Sequence, residues 1–333
     1  MTAQVFITGI TGFVGSHLAD YILANSPGIS VSGLARWRSP TDNIRQILNK
    51  ITLEYGDLFD YPSIRAILER QKPDIIFHLA AQSYVPYSFD APVATLMTNV
   101  IGTCNLLEAV KELKSASGYD PVIHICSSSE VYGQVREDEI PIDEDTPLRP
   151  ASPYAVSKVA EDRLAFQYWL SWKIKTITTR MFTHTGPRRG DVFALSNFAK
   201  QIAAIEAGVS RPVVKVGNLD SVRTFSDVRD AVKAYWLLVT KCRPGEVYNI
   251  GGIETMTIGE MLKRLIKLST VKGIKIEVDP GRLRPSDVTL QIPSIDKFVR
   301  ETGWQPEIKL EKTMKDTLDY WRAFYPSGKL SRG

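Results

Sequence analysis

An α/β fold of the doubly wound type is predicted: a parallel sheet covered by helices on both faces, with a smaller, discontinuous α/β domain attached. Three observations predict it. Short β-branched runs alternate with longer amphipathic segments through roughly the first half of the chain. Those runs are almost continuously apolar, as strands buried on both faces are. A turn with three glycines follows the first run directly and opens the first helical segment.

Taken in order, strands are predicted at residues 5–8, 30–34, 51–55, 75–79 and 122–126, with helical segments at 16–23, 63–69 and 96–112 between them. A long amphipathic segment, 154–172, leads to another strand at 176–180, after which the pattern loosens into Pro- and Gly-containing loops. Residues 228–240 read as a helix and 246–250 as a strand that rejoins the first domain. The predicted nucleotide-binding domain is therefore 1–181 plus about 219–251, and the substrate-binding domain about 182–218 plus 252–327. On the long segment, Leu164, Tyr168, Trp169 and Trp172 form an apolar stripe expected in the core.

The 333 residues are 44% hydrophobic and 23% charged, enough for a sizeable core. A net charge of +4 from scattered basic residues implies no nucleic-acid partner and is compatible with anionic ligands. Cys104, Cys126 and Cys242 are odd in number and widely spaced in apolar surroundings, so buried free thiols are expected and no metal site is. No apolar stretch reads as long enough to span a bilayer, and no leader pattern precedes the first strand; no membrane partner and a cytoplasmic location are expected.

In the glycine turn, Gly9, Gly12 and Gly15 allow a tight bend, close approach of backbone to a pyrophosphate, and close helix packing; the helix N-terminus favours the anion. An NAD enzyme carries an acidic residue at the end of its second strand. Here Arg36-Trp37-Arg38 stand instead, and a guanidinium pairs bidentately with a 2'-phosphate, so NADP is the expected cofactor. Further on, Tyr154 and Lys158 are one helical turn apart, where the ammonium is expected to lower the phenol's pKa toward a working base. Ser128, at a strand end, can donate to an oxygen becoming a carbonyl.

With Asp57-Leu58 and Leu79-Ala80-Ala81-Gln82-Ser83, these motifs make the chain resemble the extended short-chain dehydrogenase/reductases that act on nucleotide sugars, most nearly the GDP-mannose 4,6-dehydratases. The runs carrying the likeness are ITG and GSHL about the turn, RWRSPTDNIR, YGDL, AAQSYV, SSSEVYG, SPYAVSK, HTGPRRG, GNLDSVR, and LRPSDV followed by TGWQP. The resemblance implies that Gly9, Thr11, Gly12 and Gly15 hold the pyrophosphate, with Phe13 and Val14 also against the cofactor, Arg36 the 2'-phosphate, and Asp57 with Leu58 the adenine. It puts Leu79, Ala80, Ala81, Gln82 and Ser83 at the nicotinamide-side ribose, with Tyr154, Lys158, His184 and Arg189 also near the cofactor. It assigns substrate contacts to Ser83, Ser128, Glu130, Thr183, Lys215, Arg223 and Arg284. Three departures stand out: Phe13-Val14 replaces a Gln-Asp pair, Ser128 a Thr, and Thr183 an Asn that helps hold the substrate phosphate in the family.

The implied activity is redox-neutral dehydration of GDP-mannose, with Glu130 as the carboxylate that takes the carbon-5 proton. Alternatives are an NADPH-dependent reductase of a GDP-4-keto-6-deoxy sugar, which uses the same Ser, Tyr and Lys; a dehydratase of another nucleotide sugar; a 4-epimerase; and a scaffold that kept the fold without the chemistry. The family pairs its long helices between subunits, so a homodimer is implied, or a homotetramer if residues 36–45 reach a neighbour's cofactor.

Overall fold

The computed structural model describes residues 3–283 and 288–325. Its strands are β1 (Gln4–Thr8), β2 (Ser30–Ala35), β3 (Thr52–Tyr55), β4 (Ile75–His78), β5 (Val122–Ser128), β6 (Lys175–Met181) and β7 (His184–Thr185). They continue with β8 (Val213–Val216), β9 (Val222–Asp227), β10 (Val247–Ile250), β11 (Glu254–Thr257), β12 (Lys275–Val278) and β13 (Leu290–Gln291). The helices are α1 (Phe13–Asn25), α2 (Tyr61–Gln71), α3 (Val85–Asp90), α4 (Pro92–Leu96), α5 (Gly102–Ser117) and α6 (Pro153–Trp172). After them come α7 (Ala194–Glu206), α8 (Val228–Lys241), α9 (Ile258–Lys267), α10 (Asp296–Thr302) and α11 (Leu310–Arg322).

Seven parallel strands form the main sheet in the order β10-β6-β5-β4-β1-β2-β3. The order reverses between β1 and β4, which opens a crevice beyond their carboxyl ends, the position where such sheets bind ligands. On one face α1 and α8 pack over Val5, Ile7, Phe77 and Ile177; on the other α2, α5 and α6 pack over Phe6, Ile76, Ile123 and Ile125. Consecutive residues of β1 thus enter opposite cores, which is why the strand is apolar throughout. Strand β10 does rejoin this sheet beside β6, as its sequence predicts.

Two predicted boundaries are corrected. Strand β9 pairs with β7, β11 and β13 and not with the main sheet, so re-entry into the first domain begins at α8, not near 219. Residues of the later segment also return: Phe298 of α10 and Trp304 pack in the core of α1 and α8, with Trp304 Nε1 donating to Asp230 O. The predicted core stripe on α6 is likewise only partly inside. Tyr168 is buried, Leu164 and Trp169 are half-buried, and Trp172 is exposed, because it lies where α6 runs off the sheet before Lys173 turns left-handed at the helix end.

The run 92–117 is a near-continuous helix, α4 and α5 joined through a π turn at Met97–Ile101, and by length and composition it is apolar enough to cross a bilayer, contrary to the sequence reading. In the fold Leu106, Leu107, Ala109 and Val110 are wholly buried against the sheet, which accounts for that apolarity. The three cysteines are free and half-buried, less enclosed than predicted.

The small domain holds its own core, built from Phe198, Ile202, Val214, Val216, Met261, Leu265, Met314 and Leu318 between α7, α9 and α11. Helix α9 starts in a reciprocal cap, in which Glu260 N donates to Thr257 Oγ1 and Thr257 N to Glu260 Oε2.

Candidate functional site

A cavity of about 1460 Å³ runs along the carboxyl ends of β1, β4 and β5 and on between the two domains. A site for one small ligand encloses roughly 300–1,000 Å³, so this one has room for two.

Its cofactor half begins at the glycine turn. Gly9 has φ +74, a backbone region that favours glycine, and a Cβ on it would lie 3.0 Å from Ala80 Cα; a Cβ on Gly15 would overlap Gly9 O. The turn therefore approaches the segment after β4 closely because Gly9 lacks a side chain, and α1 packs against the turn because Gly15 does. Helix α1 has no side-chain cap at Gly12 and no acidic residue in its first turn, which leaves its N-terminal dipole to an anion in the cavity. Gly9, Thr11, Gly12, Phe13, Val14, Gly15, Arg36, Asp57, Leu58, Leu79, Ala80, Ala81, Gln82 and Ser83 all line the cavity, as the sequence places them; Arg38 does not.

Two polar threads hold this half together. Thr8 Oγ1 accepts from Leu79 N and Ala80 N, both at 3.1 Å, and pairs with His78 Nδ1 at 3.0 Å, tying β1 to β4 across the strand-order reversal. Asn99, in the π turn, accepts from Gln82 N at 2.8 Å, donates to Gln82 O at 3.0 Å, and donates to Ser157 Oγ on α6 at 2.8 Å. Sequence reading missed both residues. The signal for Asn99 was a polar amide within a largely apolar helical run, and a π turn is often functional.

The chemistry is carried by β5 and α6. Strand β5 ends at Ser128, which caps a short turn at Ser129–Tyr132 by accepting from Glu130 N at 3.2 Å; Ser129 Oγ donates to Gln291 Oε1 at 3.0 Å. Helix α6 is capped by Ser152, whose Oγ accepts from Ala155 N at 3.0 Å, with Pro153 in the first turn. That start delivers Tyr154 and Lys158 to the cavity beside Ser128 and Glu130, and all four line it.

The predicted lowering of the Tyr154 pKa is corrected. Burial raises it above the usual tyrosine value and outweighs the pull of the Lys158 ammonium and of the Ser128 hydroxyl toward the phenolate. Burial also works against the Lys158 charge, but the Glu161 carboxylate, with Tyr154 and Cys126, holds the ammonium above its usual range.

Toward the second half of the cavity, His184 and Arg189 meet Phe13. The His184 ring stacks on Phe13 at 5.8 Å, its Nδ1 bonded to Phe182 O at 3.2 Å and its buried Nε2 without a partner. Burial, reinforced by the Arg189 charge, pushes His184 down to about 3, so the ring is neutral. The Arg189 guanidinium lies 3.6 Å from the Phe193 ring centre and 4.9 Å from that of Phe13, and burial pushes it down to about 10. A desolvated cation on the cavity wall fits an anionic ligand.

Thr183 and Arg223 also line the cavity, Arg223 with Nη2 donating to Val288 O at 2.5 Å. Lys215 does not, which corrects its placement: Val214 and Val216 of β8 are wholly buried, so strand alternation turns Lys215 to solvent. Arg284 lies outside the described residues. The wall further includes Phe59, Tyr84, Arg188, Asn197 and Asn218, which sequence reading did not single out.

A family model described as GDP-mannose 4,6 dehydratase matches residues 6–317. The chain belongs to that family. Family membership makes it an enzyme of the nucleotide-sugar 4,6-dehydratase and short-chain dehydrogenase/reductase group. Within it, the chain is 34% identical to the GDP-6-deoxy-D-mannose reductase of Pseudomonas aeruginosa, over 97% of this chain and 98% of that protein. It is 32% identical to a GDP-mannose 4,6-dehydratase of Vibrio cholerae, over 94% and 91% respectively. Among solved structures, that of RMD from Pseudomonas aeruginosa complexed with NADPH superposes with a TM-score of 0.83 at 32% identity, covering 97% of this chain and 100% of that one. The parallel sheet covered by helices thus sits in this family member as the sequence predicts.

Proposed function

We propose that the chain is an NADP-dependent GDP-mannose 4,6-dehydratase that forms GDP-4-keto-6-deoxymannose by redox-neutral loss of water. The observation that carries this is Glu130: a carboxylate-bearing residue whose backbone N–H donates to Ser128 Oγ, and which lines the same cavity as Ser128, Tyr154 and Lys158. Alcohol oxidation or ketone reduction needs only the latter three; removing a proton from carbon 5 needs a further base.

NADP, when bound, supplies the hydride acceptor for carbon 4 and the hydride returned at carbon 6. Gly9, Gly12, Gly15 and Arg36 would hold its phosphates. Arg36 supports NADP over NAD, as does the NADPH in the Pseudomonas relative's structure. Tyr154 takes the carbon-4 hydroxyl proton while Ser128 donates to that oxygen. Once carbon 4 is a ketone, the carbon-5 proton is acidified and Glu130 removes it. The carbon-6 hydroxyl leaves as water with that proton, and carbon 5 is reprotonated through Glu130. The carbon-4 proton held by Tyr154 is released to solvent, which supplies one to Glu130, so no net proton is gained.

The second reading is a reductase of a GDP-4-keto-6-deoxy sugar, supported by the 34% identity to the Pseudomonas reductase. Purified protein given GDP-mannose and NADP+ with no external reductant separates the two. A product lighter by one water, with NADPH absorbance unchanged, is expected; no product, but NADPH consumed with a GDP-4-keto-6-deoxy sugar, would replace the dehydratase by the reductase. Glu130→Gln is expected to abolish dehydration while both ligands still bind.

Exposed Phe166, Leu170 and Trp172 on α6, with Val93, Met97 and Ile101 on the 92–117 helix, support a homodimer through these helices. A homotetramer follows if residues 36–45, with Trp37 82% exposed, reach a neighbouring cavity. A cytoplasmic location completes the reading.

A further inference from the structure

Lysine has three N–H donors. Two of those on Lys158 are taken inside the protein: Cys126 O accepts one at 2.9 Å and Glu161 Oε2 another at 2.9 Å. That leaves one for the cavity that Lys158 lines. Glu161 follows Lys158 by three residues on α6, is 1% exposed, and its other oxygen, Oε1, has no hydrogen-bond partner.

A buried carboxylate with an unpaired oxygen is an expensive choice for a helix interior, and stability does not ask for it here. The neighbouring Asp162 carries the structural role. It pairs with buried Arg180 at 2.8 Å, and Arg180 in turn bonds Tyr132 Oη and Glu144 O. Glu161 is aimed at Lys158, the lysine that lines the cavity among the described residues.

Resting on the reading of Tyr154 as the acid–base group, we propose that Glu161 is a positioning residue. It fixes the Lys158 ammonium against the Cys126 carbonyl and neutralises it from below, so that Tyr154 works beside a paired, immobile cation. The other titratable groups set against this pair are Tyr154 and Asp162 on α6, Cys126 and His124 on β5, and His78 on β4. His78 and His124 are held neutral by burial, so they add no charge beside the pair near neutral pH; burial raises Glu161 itself to about 7, so its charge is complete above that pH, where the Tyr154 limb, raised above the usual tyrosine value, lies.

The test is the pH dependence of kcat/KM in Glu161→Gln, which keeps the shape and an acceptor but removes the charge. Lys158 then acts on Tyr154 uncompensated, and the acidic limb assigned to Tyr154 is expected to fall by on the order of one pH unit. Asp162→Asn serves as control and is expected to lower the unfolding temperature without moving the limb. An acidic limb that is unmoved or raised in folded Glu161→Gln overturns the proposal. If that variant does not fold, residual turnover of Lys158→Met and of the double variant Lys158→Met, Glu161→Gln decides. With the ammonium gone, equal limbs are expected, with the double variant at least as stable as Lys158→Met. Different limbs, or a less stable double variant, overturn the proposal. Failure of the underlying reading looks different: Tyr154→Phe would then keep full turnover with Glu161 intact.

Discussion

Lowering the pH from about 6.5 to about 4.5 should destabilise this protein through its histidines before its ion pairs fail. Burial pushes His78, His124 and His184 each from 6.5 down to about 3. Their pKa values are depressed in the fold, so the stability they contribute is fully present above 6.5 and is lost as pH falls toward 3. Each group in that window contributes about 1.36 kcal/mol per pH unit, roughly 4 kcal/mol for the three. Glu161, raised by burial to about 7 against the pull of Lys158, opposes one of them over the same range, leaving about 2.7 kcal/mol per pH unit. His17, lowered chiefly by burial, adds to the loss; Glu144 and Asp230, raised chiefly by burial, subtract from it. Two pH units should therefore remove about 5 kcal/mol from a total of roughly 5–15 kcal/mol. Urea unfolding at constant ionic strength, without added ligand because His184 faces the cavity, measures it. His124→Phe isolates one contributor: the ring still packs beside Tyr235 and Phe77, losing only the Thr179 bond and an Nδ1 that has no partner. Its pH slope should be smaller by about 1.4 kcal/mol per unit. A parent stability that is flat between those pH values, or an unchanged slope in His124→Phe, would refute the reasoning.

Tyr154→Phe should reduce turnover by roughly 10²–10⁴-fold while nucleotide-sugar affinity, measured by calorimetry, stays near the parent value. Arg36→Ala should weaken NADP binding by roughly 10–100-fold and leave NAD binding nearly unchanged, since only the former carries the phosphate that a guanidinium pairs. Asp162→Asn removes the partner of a buried Arg180 and should lower unfolding free energy by about 3–5 kcal/mol in a denaturant titration, with ligand affinities retained.

The doubly wound sheet was legible in the sequence because two local signals coincide: apolar runs about the length of a strand, and glycines at Gly9, Gly12 and Gly15 where a turn must be tight. Tyr154 and Lys158 were legible for the same reason, since helical spacing alone puts them one turn apart. Residues whose role depends on a partner distant in sequence were not. Thr8 gains meaning only when β4 lies beside β1, and Asn99 only when its turn meets both the 79–83 segment and α6. The Lys215 misplacement has the same origin: strand alternation decides its direction, and the strand is visible only once β12 pairs with it.

By itself, then, the sequence determined the sheet, the phosphate turn and the Ser, Tyr and Lys set, because these rest on periodicity and on contacts within a few residues. Tertiary structure decided three further matters: where the chain re-enters the first domain, which basic residues reach the cavity, and the proton affinity of Tyr154. The last depends on burial and on the Lys158–Glu161 pair, and desolvation is a property of everything packed around a group, which no local spacing records.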